Sequence, residues 1–196
     1  MTAGPLPRSF YERLAPDVAP DLLGCLLVRS VNGRRLVGRI LETEAYQGEE
    51  DQACHARVGL TARTAVMYGP PGHAYIYFTY GMHWLLNAVT SQPGVPSAVL
   101  IRSVEAVEGL DQLDFFRPHL ARTAGWLNGP AKVAQAFNLT GLLNAVDLCD
   151  PASPLLIESG ARPQATQVLR SPRVGISSVP EPWRSLPWRW SFTPGR

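Results

Sequence analysis

Short apolar runs, interrupted by eighteen prolines and seventeen glycines, predict a compact domain built from short elements. Residues 26–31 predict a strand that ends at Asn32-Gly33, a dipeptide typical of a tight hairpin turn. The returning strand is predicted over residues 36–44, and polar, acidic side chains follow over residues 42–51. Because such side chains can leave the sheet, this end of the strand is predicted to face a cleft.

A second group of strands is predicted further along the chain. The run at residues 74–79 is rich in aromatic and β-branched residues, and it follows a Gly-Pro-Pro-Gly turn at residues 69–72. Gly81 is expected to break this strand, after which residues 84–90 and 98–104 predict two more.

Helices are predicted to be few and short. Asp17 and Asp21 are candidate caps of a helix that ends near residue 23. Pro130, placed directly after glycine, predicts the first position of another helix. Residues 155–158 and 173–177 predict a late strand pair. The pattern as a whole indicates one mixed α+β domain over residues 1–196, with a flexible stretch over residues 1–8.

Composition sets limits on the function. A hydrophobic content of 45% in 196 residues is enough for a core within one domain. The formal net charge of +2 permits a polyanionic partner but is too small to identify a nucleic-acid binder. Lys132 is the only lysine, so a mechanism through a Schiff base has only this side chain or the N-terminus as its amine.

The three cysteines, Cys25, Cys54 and Cys149, are widely separated. Their number and spacing predict reduced thiols rather than a disulfide framework or a zinc site, and no metal or cofactor is expected. The first residues lack an apolar signal region, and no run approaches the roughly 18 apolar residues of a membrane span. A soluble, intracellular protein of the cytoplasm and nucleoid, with no membrane contact, is therefore expected.

Two carboxylates form the clearest candidate chemistry. Glu42 and Glu44 are two apart on the predicted strand, so both side chains lie on one face, roughly 6–7 Å apart. Such a pair is typical of glycosidic hydrolysis, in which one carboxylate activates water. Glu42 can equally be a structural residue paired with an arginine, whereas Glu44 is followed by Tyr46 and His55 and is the stronger catalytic candidate.

Aromatic side chains suggest what binds beside Glu44. Alternation places Tyr75 and Tyr77 on one face of their strand and Ile76 and Phe78 on the other. A polar, aromatic face opposite an apolar one is compatible with a cavity for a planar base, although the same tyrosines could belong to a core. Tyr80, next to Gly81, is either a wedge that opens a base step or an ordinary turn residue.

Six motifs follow one another along the chain. They are R-I-L-E-T-E-A-Y at residues 39–46, E-D-Q-A-C-H at 50–55, Y-I-Y-F-T-Y-G-M at 75–82, A-V-L-I-R ending at Arg102, G-P-A-K at 129–132 and S-P-R-V-G-I around Arg173. These motifs resemble those of one enzyme family, the alkyladenine (3-methyladenine) DNA glycosylases. The resemblance extends over nearly the whole chain, and the order and spacing of the motifs are more specific than any one of them.

The resemblance implies a role for each matching residue. Glu44 is similar to the general base that activates water for attack on the sugar carbon C1′, and Arg102 to the residue that helps hold this water. Tyr46, His55 and Tyr77 resemble the walls of the base pocket.

The remaining matches concern specificity and DNA. Asn87 resembles the residue that crowds the exocyclic amino group of guanine, and Tyr80 the residue that fills the vacated base stack. We interpret Lys132, near the predicted helix start, as a contact to the DNA backbone, although it could be a solvated lysine. The implied fold is a curved antiparallel sheet with short helices around it and a protruding β-hairpin.

The function that follows is base excision by a monomer without metal or cofactor. Damaged purines in double-stranded DNA, namely 3-methyladenine, 7-methylguanine, hypoxanthine and ethenoadenine, are the expected substrates, and an abasic site is the expected product. Two alternatives stay open at the level of the sequence: an N-glycoside hydrolase acting on free nucleosides, and a noncatalytic nucleic-acid binding module.

Overall fold

Eight strands form one antiparallel sheet in the described part of the chain, residues 4–118 and 125–194 of a computed structural model. In chain order the strands are β1 (Leu26–Val31), β2 (Arg34–Gln47), β3 (Ala74–Thr79), β4 (His83–Val89), β5 (Ser97–Glu108), β6 (Leu155–Glu158), β7 (Leu169–Ser171) and β8 (Arg189–Ser191). The α-helices are α1 (Arg8–Tyr11), α2 (Ala15–Asp21), α3 (Leu110–Phe116) and α4 (Pro130–Ala136). The predicted single α+β domain with a curved antiparallel sheet is confirmed.

The long strand β2 organises this sheet. β5 pairs along one of its edges, while β1 and β8 share the other edge, β1 beside residues 34–39 and β8 beside residues 42–44. Asn32 and Gly33 join β1 to β2 with φ values of 51° and 71°, the left-handed conformation of the predicted tight hairpin. The strand itself is longer than predicted, because it continues through the acidic segment to Gln47.

An irregular register bends β2 at the acidic residues. Against β5, the register shifts between Ile40 and Glu42 and again between Glu42 and Thr43. Bulges of this kind increase the local twist and redirect side chains. Beyond the irregular register, the outer partner of β2 is β8 rather than β1. Glu44 there lies opposite Leu100 of β5, which on its other edge lies opposite Asn87 of β4.

Helices α2 and α4 cover the sheet and close the core. Packing is tight where α4 ends: a Cβ atom on Gly38 of β2 would lie 2.8 Å from Cζ of Phe137 and 2.9 Å from Cγ2 of Val104. Glycine within a strand is typical of such close approach. We infer that any larger residue at position 38 would push α4 away from the sheet.

The β3–β4 hairpin carries the exposed aromatic tip that the sequence predicts. Tyr80 and Gly81 have φ values of 52° and 67°, and the N–H of Met82 donates to the carbonyl oxygen of Thr79. The turn leaves Tyr80 84% exposed and Met82 67% exposed. The strand bounds at residues 74–79 are confirmed.

Three sequence predictions about local structure are wrong. Residues 173–177 form no strand, because Arg173 forms a buried ion pair with Asp51 and Gly175 has a φ of 79°. The other predicted strand, β6, pairs with β1 instead. Helix α2 begins at Ala15, so Asp17 lies inside its first turn and does not cap it. Asp21, the last residue of α2, pairs with arginine side chains.

Two further observations concern segments without a strong pattern. Helix α3 was not predicted, since its sequence carries no capping signal at the preceding Gly109. The stretch 1–8 is expected to be flexible, which stays a prediction. Its described part makes specific contacts: the amide of Leu6 donates to the carbonyl oxygen of Ile157, and Arg8 pairs with Asp147 at 2.5 Å.

Candidate active site

A cavity of about 390 Å³ opens between the second half of β2, the β3–β4 hairpin and the segment after β7. The curl of the sheet brings these elements together, although the end of β2 and the segment after β7 are more than a hundred residues apart in the chain. Six of the eight candidate site residues line this cavity: Tyr46, His55, Tyr77, Tyr80, Asn87 and Arg102.

Aromatic rings form one wall of the cavity. The ring of His55 meets Tyr77 edge-on, with 4.4 Å between the centroids, and Tyr77 lies 5.3 Å from Tyr75. Nδ1 of His55 is 3.0 Å from the hydroxyl oxygen of Tyr75. Tyr75 is only 2% exposed, and it lines the cavity together with His55 and Tyr77.

Asn87 lies on β4, directly opposite Tyr75 on β3. Its Nδ2 donates to the carbonyl oxygen of Tyr75 at 3.1 Å, and the residue is only 4% exposed. This hydrogen bond holds the side chain in one orientation at the cavity wall. A ligand must therefore accommodate Asn87 rather than displace it.

Glu44 is fully buried behind the cavity wall and holds three donors. The backbone N–H of Val174 donates to Oε1 at 2.7 Å, and Nε of Arg102 is 3.4 Å from the same oxygen. The hydroxyl of Tyr46 donates to Oε2 at 2.8 Å. The carboxylate is thus fixed from both sides by three residues that all line the cavity.

Arg102 joins the two predicted carboxylates. Its Nε lies 3.1 Å from Oε1 of Glu42 as well as 3.4 Å from Glu44, so both acids share one face of β2. Glu42 has a second partner in Arg189, whose Nη1 is 2.9 Å from the same oxygen. Glu42 therefore has the arginine pairing that its structural interpretation predicts, and its carboxylate holds Arg102 next to Glu44.

Burial controls the protonation of the site. It raises the pKa of Glu44 above its usual value, against the opposing effects of Arg102, the Val174 N–H and the Tyr46 hydroxyl. Burial, reinforced by the nearby Glu44 carboxylate, also raises the pKa of Tyr46 well above the usual range. Tyr46 therefore stays protonated over the pH range in which Glu44 gains or loses its proton, and its hydroxyl remains a hydrogen-bond donor.

His55 is neutral at physiological pH. Burial, with additional repulsion from Arg63 and Arg57, lowers the pKa of His55 to about 4. His55 consequently adds no positive charge to the cavity at neutral pH.

The two residues expected to meet DNA lie at different places. Tyr80 stands at the exposed hairpin tip on the rim of the cavity. Lys132 lies in the first turn of α4, two residues after Pro130, which lines the cavity. Its Nζ is 3.5 Å from the carbonyl oxygen of Gly125 and is exposed.

Three residues at the site were not identified from the sequence. Val174 acts through its backbone N–H, for which every residue type except proline is equivalent, so its residue type does not indicate this role. Asp51 and Arg173 form a buried ion pair behind Tyr46. Both belong to the motifs that carry the family resemblance, which was the only available indication.

Metal and membrane features were searched over the same described residues. Within residues 4–118 and 125–194, no cluster of three or more His, Cys, Asp or Glu side chains could hold a metal ion. No helix in those ranges is long and apolar enough to cross a bilayer. The three cysteines are free, and two of them are buried.

Comparison with known proteins places this site in a family. The family model described as methylpurine-DNA glycosylase matches residues 9–195. Relatives from Methanocella arvoryzae, Myxococcus xanthus and Carboxydothermus hydrogenoformans, each provisionally named a 3-methyladenine DNA glycosylase, are 45%, 47% and 44% identical to this chain. The alignments cover 91%, 94% and 94% of this chain and 90%, 88% and 93% of the relatives. The chain therefore belongs to the methylpurine-DNA glycosylase family and is a DNA glycosylase, a hydrolase of N-glycosyl bonds.

Proposed function

We propose that this enzyme is a monofunctional glycosylase that extrudes a damaged purine from double-stranded DNA and hydrolyses its bond to deoxyribose. The observation that carries the proposal is the buried Glu44 carboxylate, held by Arg102 next to an aromatic cavity of about 390 Å³. Such a volume lies within the range of roughly 300–1,000 Å³ that is usual for small-molecule sites. The names of the relatives support 3-methyladenine as one substrate. We propose 7-methylguanine, hypoxanthine and ethenoadenine as others.

The proposed chemistry is a hydrolysis with Glu44 as general base. A water oxygen forms a bond to C1′ as the glycosidic C–N bond breaks, and the bonding electron pair leaves with the base. The proton of this water passes to Glu44, while Arg102 helps to hold the water. The product is an abasic site, and the strand is not cut because no Schiff base forms.

The cavity walls supply the binding energy for an extruded purine. We assign the faces of the base to Tyr46, His55 and Tyr77, since stacking on an aromatic ring is worth about 1–3 kcal/mol per base. A neutral His55 leaves the pocket tolerant of alkylated purines, which carry positive charge. To Asn87 we assign the crowding of the amino group of guanine, and its hydrogen bond to Tyr75, which fixes the side chain, supports this role.

Contacts to the duplex complete the proposal. Tyr80 enters the minor groove and occupies the space of the extruded base, and Lys132 contacts a backbone phosphate through its exposed ammonium. We also propose that the enzyme acts as a monomer.

The direct test is base release from duplex oligonucleotides that each carry one hypoxanthine, ethenoadenine or 7-methylguanine. We expect free base and an alkali-labile abasic site, with no borohydride-trapped adduct. Absence of release from all three lesions, and from DNA methylated at adenine N3, would contradict the proposal. Release from free nucleosides alone would favour the small-substrate alternative.

Replacing Tyr80 with Ala tests the duplex contact. We expect lesion binding and excision to fall about 10-fold or more, because the space left by the base is no longer filled and extrusion costs a few kcal/mol. Single-turnover excision and duplex titration measure the effect. Phe115→Ala is the matched control, since Phe115 is also an exposed aromatic side chain, at 72%, but lies on α3. Unchanged binding and turnover in Tyr80→Ala would remove the wedge role.

Replacing Tyr46 with Phe tests the hydroxyl separately from the ring. Stacking is retained, but Glu44 loses a donor that lowers its pKa. The acidic limb of the pH–rate profile should therefore move up by about one pH unit, the usual size of one charged hydrogen bond. Tyr68→Phe, which loses a hydroxyl bonded to Glu49 outside the cavity, should leave the limb in place. If the acidic limb of the Tyr46→Phe variant lies at the same pH as in the wild type, the hydroxyl does not control the pKa of Glu44.

A further inference from the structure

Arg173 and Asp51 form an ion pair that is closed off from solvent. Nη1 lies 2.5 Å from Oδ2 and Nη2 lies 2.9 Å from Oδ1, and both side chains are 0% exposed. The guanidinium lies between two aromatic rings, 4.8 Å from the centroid of Tyr46 and 5.2 Å from that of Trp188. A bidentate pair of this kind fixes direction as well as distance.

Both side chains of the pair also form hydrogen bonds with backbone groups. Arg173 donates to the carbonyl oxygens of Ala45 at 2.9 Å and Trp183 at 3.1 Å. Asp51 accepts from the amide of Ala53 at 3.0 Å. One ion pair therefore ties together the end of β2, the loop that follows it and two segments near the C-terminal end of the described chain.

The segments joined in this way are walls of the active-site cavity. Val174 follows Arg173 in sequence, lines the cavity and donates its N–H to Glu44 at 2.7 Å. On the other side, the loop held by Asp51 leads directly to His55. The position of the Val174 amide therefore depends on where the Arg173–Asp51 pair places its segment.

The physical cost of the pair indicates what it contributes. Burying two charges carries a desolvation penalty, and well-packed apolar residues of similar size often stabilise a protein equally well. What apolar residues cannot supply is a fixed direction for the attached backbone. On the basis of the proposed function, we propose that Asp51 and Arg173 are positioning residues for hydrolysis, which hold the Val174 N–H on Glu44 and thereby keep its carboxylate ionised and aimed.

Arg173→Lys is the first test, because lysine keeps the charge but cannot form the bidentate fork. We expect the variant to bind lesion-containing duplex with native affinity. Its single-turnover rate should fall by about 10- to 100-fold, the effect of a displacement near 1 Å. The acidic limb of its pH–rate profile should move up, because the N–H that lowers the pKa of Glu44 is no longer fixed.

Arg35→Lys is the matched control. Arg35 also bridges two carboxylates, those of Glu108 and Glu158, at 2.6 and 2.7 Å. Since none of these residues lines the cavity, the excision rate and the acidic limb of the Arg35→Lys variant should remain native.

A second variant, Asp51→Leu with Arg173→Met, removes both charges together and so leaves no unpaired charge in the interior.

The outcomes separate this proposal from the proposed function. A folded Arg173→Lys or double variant that is slow and has a raised limb supports the positioning role. Native rate and limb in either folded variant overturn it, while wild-type excision leaves the glycosylase assignment intact. If neither variant folds, the pair is required for folding and the positioning role also fails. A wild type that releases no base overturns the proposed function itself.

Discussion

Replacing Glu44 with Gln is expected to lower the single-turnover rate of base release by about 10²- to 10⁴-fold, the usual contribution of a general base. The amide can still accept from the Val174 N–H, so the site should keep its geometry while losing its basicity. Native affinity for lesion DNA combined with lost excision is the expected pattern. Glu105→Gln, an exposed carboxylate on β5, is the control.

The same variant makes a prediction about stability. Burial raises the pKa of Glu44, so this group favours the folded state most when it is protonated, and that stabilisation is lost as the pH rises through its raised pKa. At pH 7, Glu44→Gln should therefore melt at the same temperature as the wild type or higher, and the difference should shrink in acid. Thermal unfolding between pH 4.5 and 7.5 measures this difference in melting temperature.

The activity measurement decides the role of Glu44. Full excision by Glu44→Gln would exclude Glu44 as the general base.

Arg102→Gln should reduce both activity and stability. Arg102 is the strongest of the groups that lower the pKa of Glu44, and it also pairs with Glu42. Its removal leaves two mostly buried carboxylates facing each other, so we expect a cost of about 3 kcal/mol in unfolding free energy. The excision rate should fall by about 10²-fold or more, because the water loses a group that holds it. The acidic limb of the pH–rate profile should shift upward, because the pKa of Glu44 rises.

A neighbouring arginine offers the comparison. Arg189→Gln removes a more exposed side chain. Arg189 lies opposite Glu44 in the β2–β8 ladder, but its guanidinium pairs with Glu42, so the excision rate and the acidic limb should change far less. In the double variant Glu44→Gln with Arg102→Gln, part of the lost stability should return, because one carboxylate no longer needs a partner. A native excision rate in Arg102→Gln would contradict the proposed water-holding role.

Local sequence rules predicted those parts of the fold that depend on neighbouring residues. The turn at Asn32-Gly33, the strand at residues 74–79 and the helix start at Pro130 all agree with the structure. Each depends on a backbone preference or an alternation that a few adjacent residues express. The late strand pair failed because Arg173 finds its partner at Asp51, far away in the chain.

For the active site, the order of motifs singled out residues that the structure brings together. Tyr46, His55, Tyr77 and Asn87 line one cavity, as their shared assignment to a base pocket requires, while their individual roles stay predictions. Alternation alone left Glu44 as one of two acids on a face. The family resemblance distinguished Glu44 from Glu42, because the residue types and their spacing around Glu44 match the motifs of the family.

What the sequence by itself determined is the family, the α+β class, the local turns and strands, and the residue types available for catalysis. Only the tertiary structure decided that Glu44 is fully buried, that Arg102 bridges it to Glu42, and that the Val174 N–H points at it. Burial and backbone hydrogen bonds depend on segments that are distant in the chain, and a backbone N–H is the same group in every residue but proline. For this reason the charge state of the proposed base is a property of the fold rather than of its motif.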